Sequence, residues 1–137
     1  MKRTITAITV VCILAGLIST FVFAERKANE IWMGDFMLFR IRAAAGGYSI
    51  EERVAAIQER TNVLLRERKS DIVFGFKTAG TDANIYTDDA LYMTVTSADA
   101  KANNTTPMRL AEVWAGRMMR AFVKTYPDCE QCRLKKL

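Results

Sequence analysis

Hydrophobic residues recur along this chain first every second position, then every third or fourth, and the changes of rhythm mark out its elements. Residues 31–33 and 36–42 are β-rich runs separated by Gly34 and Asp35. Glycine at the first central position suits a two-residue II′ hairpin turn. In the second run Met37, Phe39 and Ile41 alternate with Leu38, Arg40 and Arg42, which predicts one apolar face and one that becomes basic towards its end. Three alanines then lead into Gly46, Gly47 and Tyr48, where the glycine pair suits a tight reversal with positive φ.

Ser49 and Glu52 form a capping box, in which each side chain satisfies the other's backbone N–H at a helix start. The helix it opens carries Ile50, Val54, Ile57, Thr61 and Leu64 on one stripe and ends near residues 66–69, where positive charge suits the helix dipole. Residues 71–77 read as a strand closed by a turn around Gly80, and residues 83–87 and 91–96 flank Asp88 and Asp89 as a second hairpin. A short helical turn is expected over 97–101, capped by Thr96 or Ser97. Thr106 and Pro107 open the last helix, whose stripe is Leu110, Val113, Trp114, Met118, Ala121 and Phe122, and which stops before Pro127. This order predicts an α+β two-layer sandwich: a mostly antiparallel sheet of about five strands with two helices packed on one face.

The N-terminal stretch changes the picture of where that domain lives. Lys2 and Arg3 precede 21 uncharged residues, positions 4–24 (24 − 4 + 1). Val22 and Ala24 stand where a signal peptidase inspects its substrate, which points to cleavage after Ala24. A retained anchor is the alternative, since about 20 apolar residues suffice to span a bilayer. Either reading places the remainder outside the cytoplasm, in the periplasm or beyond. The chain divides accordingly into a leader or anchor over 1–24, one domain over 25–126, and a basic tail over 127–137. Cleavage leaves 113 residues (137 − 24) and, by removing two cations, lowers the net charge from +5 to +3. So mild a balance gives no case for a nucleic-acid partner, and membrane contact is expected only through an uncleaved N-terminal segment.

The absence of histidine removes Ser-His-Asp and Cys-His catalysis and histidine-ligated zinc. Asp88 and Asp89 read as a turn and Asp99 as the first turn of a short helix, not as an acid pair. Gly46 and Gly47 lack the Lys-Ser/Thr of a phosphate loop. No enzyme activity and no cofactor are expected. Cys12 departs with the leader, so Cys129 and Cys132 remain, in a C-x-x-C. An even count in an oxidising compartment suggests a disulfide within the chain. A thiol–disulfide redox centre is the alternative, although no helix follows the motif to depress a thiol pKa. Two chains together would supply four thiolates for a metal. Arg133 occupies the position where haem attachment requires histidine.

The expected contact surface is Arg40, Arg42, Gly46, Gly47 and Tyr48, which combines a charged strand end, an aromatic and a sharply turned backbone. Three stretches also carry a likeness: FRIRAAAGGYSIEERVAAIQER, LYMTVTSADAKA and TPMRLAEVWAGRMMRAF. With Gly47, Ser49, Glu51, Glu52 and Arg53, then Val95, Thr96, Asp99 and Ala100, then Pro107, Leu110 and Ala111, residues 32–122 resemble the extracytoplasmic segment that precedes the membrane helices in some bacterial channels of the small-conductance mechanosensitive family. No second hydrophobic span follows in the sequence, so the resemblance implies an exported accessory or sensory domain without channel activity or catalytic residues. The expected function is a small, non-enzymatic binding domain of the bacterial cell envelope with a protein partner. The alternative is a redox protein using Cys129 and Cys132.

Overall fold

Gly34, at φ +58, turns the chain between β1 (Glu30–Met33) and β2 (Phe36–Arg40). Met33 faces Phe36 and Trp32 faces Met37, but a bulge between Ile31 and Trp32 then shifts the register, so that Ile31 faces Phe39 and Glu30 faces Arg40. The extra residue on β2 is Leu38. A bulge re-aims side chains on the strand that carries it, and both Leu38 and Phe39 end up buried. Met37, expected on the apolar face by strict alternation, is left 38% exposed. The computed structural model describes residues 25–137; the leader, cleavage after Ala24 and Cys12 lie outside the described residues.

Local capping chemistry fixes the three helices found among the described residues. Helix α1 (Ile50–Glu67) starts at Ser49, whose hydroxyl accepts from the Glu52 amide while the Glu52 carboxylate accepts from that of Ser49. Helix α2 (Ser97–Ala102) repeats the device with Thr96 and Asp99. Helix α3 (Pro107–Thr125) has Thr106 as cap and proline in its first turn, where a missing N–H costs nothing. The predicted stripes turn inward. Ile57, Thr61 and Leu64 are buried on α1, as are Leu110, Trp114, Met118, Ala121 and Phe122 on α3.

The remaining strands are β3 (Val73–Ala79), β4 (Asp82–Thr87), β5 (Ala90–Val95) and β6 (Arg133–Lys136), in the spatial order β5-β4-β3-β6. β3, β4 and β5 form an antiparallel meander, and β6 joins β3 in parallel. The described residues thus form an α+β fold with two mostly antiparallel sheets, of two and four strands, and helices packed against them. Two details differ from the single five-stranded sheet predicted. The first hairpin is a sheet of its own, and the segment assigned to a tail supplies an edge strand. On one face of the larger sheet Phe74, Phe76, Ala83, Ile85, Met93 and Val95 are buried. Phe122 of α3 reaches Phe74 at 5.7 Å between centroids, and Trp114 stacks on Phe39 of the hairpin at 4.3 Å. Each large side chain buried this way stabilises by about 1.5–3 kcal/mol.

Candidate functional site

Arg53 and Asp99 join four pieces of the fold. The guanidinium meets the carboxylate in a two-pronged pair, Nη1 to Oδ1 at 2.8 Å and Nη2 to Oδ2 at 2.7 Å. The same two nitrogens donate to the carbonyls of Ala43, before the glycine turn, and of Thr94 in β5. Asp99 Oδ2 also accepts from the Thr96 amide and hydroxyl. The Asp99 side chain is 0% exposed and that of Arg53 9%, so charges removed from water are matched bond for bond. Seven residues further along α1, Arg60 donates to the Tyr92 carbonyl at 2.9 Å. Tyr92 and Thr94 belong to a strand at the edge of the sheet, and their outward carbonyls are closed by arginines two helical turns apart.

Tyr92 is the extra residue of a second bulge, because Met93 faces Ile85 while Leu91 faces Tyr86. Its phenol lies 2.6 Å from the Thr61 hydroxyl, which itself donates to the Ile57 carbonyl. The phenol is therefore the donor of that pair, and burial pushes its pKa well above the usual tyrosine value. This group stays protonated and serves as a structural tie.

Between α1, the edge of β5 and the glycine turn lies a groove of about 770 Å³. Ala45, Ala55, Ala56, Ile57 and Met93 supply apolar lining, while Glu52, Arg53, Arg60, Asp82, Thr94 and Thr96 supply polar groups. The turn that forms one wall is a two-residue hairpin. Ala45 and Tyr48 exchange both backbone hydrogen bonds, at 3.1 and 3.0 Å, and Gly46 and Gly47 take φ +63 and +82. Positive φ at both central residues is the I′ condition that glycine meets without strain. Tyr48 is left 63% exposed beside the groove.

Of the residues expected to form the contact surface, Gly46 and Tyr48 line this groove, and Gly47 completes the turn between them. Arg40 is held instead by Glu30 across the hairpin, at 2.9 Å. Arg42 is exposed and lies 3.5 Å from the Ala102 carbonyl at the end of α2. Arg53, Arg60 and the edge of β5 were not foreseen as parts of the site. Cys129 and Cys132 form a disulfide, with Cα atoms 5.6 Å apart. Cys129 is buried and Cys132 packs against the core cluster, so the bridge closes the turn between α3 and β6. Among the described residues no group of three or more Cys, Asp or Glu side chains is arranged to hold a metal ion, and no helix is long and apolar enough to cross a membrane.

The fold and this groove define a small α+β domain with a mixed polar and apolar cleft at one sheet edge. Residues 31–125 match the family model described as a domain of unknown function, DUF8459, and the chain belongs to that family. No curated protein and no solved structure matches the chain.

Proposed function

We propose that this protein is a small exported, non-enzymatic binding domain of the bacterial cell envelope, whose protein partner is held in the groove beside Tyr48. One observation carries the reading: a largely exposed tyrosine, fixed by a rigid glycine turn, stands beside a groove of about 770 Å³. That volume falls in the roughly 300–1,000 Å³ range of binding clefts. Tyrosine offers a partner large contact area at small entropic cost. Export is supported by the disulfide, which persists in oxidising compartments, and by the likeness to extracytoplasmic segments noted above. A structural bridge, not thiol exchange, is supported by the burial of Cys129 and the packing of Cys132 against the core cluster.

A photo-cross-linking side chain placed at position 48 in living cells should yield a discrete protein adduct, and one at Glu112 on α3 should not. Arg60→Glu should weaken the adduct without changing the circular dichroism spectrum. Equal adducts from both positions, or none from position 48, would count against this surface.

A further inference from the structure

The larger sheet has two faces, and the helices cover one. Strand pairing assigns the other. Lys135, Gly75, Tyr86 and Leu91 face one another across β6, β3, β4 and β5, and Lys77, Asn84 and Thr94 form the next row. Leu137, whose amide donates to the Phe76 carbonyl, lays its side chain over Gly75, the one position where a Cβ would meet it at 2.7 Å. Lys77 and Lys135 are exposed, and Leu91 and Leu137 are 50% and 48% exposed. Thr94 donates to Asn84, and Asn84 to the Tyr86 hydroxyl, so the polar side chains on β4 and β5, beside the lysines, are tied to one another.

We infer that this open face is a docking surface for anionic phospholipid headgroups, with Lys77 and Lys135 as the headgroup cations and Leu91 and Leu137 as the side chains that enter the interface. Charge complementarity argues for it. Among the described residues Lys77 and Lys135 make no ion pair, whereas Asp71 near the face is paired with Arg133, and Asp82 accepts from the Ser97 amide and hydroxyl. Basic residues beside a bilayer gain from its negative surface potential, and exposed leucines gain from its apolar boundary. A single-stranded nucleic acid would also attract the lysines, but it is held by stacking on open aromatic faces. Tyr86 is the aromatic in these rows, and the Lys77 ammonium already lies over its ring at 4.8 Å. Half-exposed leucines have no role against a polyanion in water. Lys77, Lys135, Leu91 and Leu137 are not among the residues that line the groove beside Tyr48, so the inference does not rest on that groove.

The test is lysine acetylation of the full chain, read by mass spectrometry, in the presence of vesicles. Phosphatidylcholine vesicles with phosphatidylglycerol should protect Lys77 and Lys135, while phosphatidylcholine alone should not; Lys101 on α2 should react equally in both. The comparison is read residue by residue, so insertion of the N-terminal segment into either vesicle leaves it intact. Lys77→Gln with Lys135→Gln should weaken the preference for the anionic vesicles roughly 30-fold, about fivefold for each lysine neutralised. Equal protection in both vesicles, protection in neither, an unchanged preference in the double variant, or protection by duplex DNA or RNA in place of lipid would each overturn the inference.

Discussion

Arg53 sits where three segments distant in sequence converge, and its planar fork matches the Asp99 carboxylate as a lysine ammonium would not. Asp99→Ala would strand that guanidinium in a site from which water is excluded. Urea unfolding should show a loss of about 3–5 kcal/mol, the usual cost of breaking a buried pair from one side. Arg53→Lys should restore only part of the stability lost in Arg53→Ala. The pairing spans 46 residues, so no local pattern displays it. By residue pattern Asp99 reads as a position in the first turn of a short helix, and Arg53 as a polar position on an amphipathic helix. Arg40 was hidden by a different cause. Regular pairing from a two-residue turn would set it opposite Asn29, whereas the bulge at Leu38 moves it opposite Glu30. Sequence alternation carries no trace of one inserted residue.

At the scale of elements, what is encoded locally was readable and what depends on distant pairing was not. The caps at Ser49, Thr96 and Thr106, the turns at Gly34 and Asp88, and the stripes of α1 and α3 each rest on side chains within a turn or two of one another. β6 has no such signal. All four of its residues are exposed, three of them are cations, and its parallel partner lies about sixty residues away (133 − 73). Its lysines are the device that keeps a free edge from pairing with other chains. The glycine turn was legible as a reversal, but not the groove it borders, which needs α1 and β5 brought side by side. The disulfide anchors the approach to β6. Replacing Cys129 and Cys132 by serine should therefore lower stability by up to about 2 kcal/mol, the loop-entropy value for so short a ring. Amide exchange should quicken across Arg133–Lys136 and leave α1 unchanged.

For the molecule as a whole, two carboxylates, Glu30 in β1 and Asp88 in the β4–β5 turn, tie separate segments together, and both respond to pH. A hydrogen bond from the Lys27 amide, helped by Arg40 and Trp32, holds the Glu30 carboxyl below its usual 4.5. Burial works to raise Asp88, but the Val73 amide, Lys69 and Arg133 outweigh it and hold it below its usual 3.8. Groups depressed in the folded state take up protons more readily once unfolded, so their contribution is complete above those usual values. It is lost as pH falls through the lower, folded ones. Lys69 is raised above its usual 10.5 by its bond to Asp88, so its contribution is present below that value and disappears at higher pH. The melting temperature should be level near neutrality and drop on acidification below about pH 4.5. Glu30→Gln should lower the neutral plateau and flatten the acid limb. A variant with an unchanged acid limb would mean that Glu30 contributes nothing to acid sensitivity.

The parallel pairing of β3 with β6 also sets a clock. A ribosome adding about 5–20 residues per second needs roughly 3–12 s to travel from one strand to the other. Throughout that interval β3, the outer strand of the meander, has a bare flank, and any β-rich segment nearby can occupy it. Synthesis therefore has to run nearly to residue 136 before the sheet is complete, which favours a chain kept unfolded during synthesis over one that folds as it emerges.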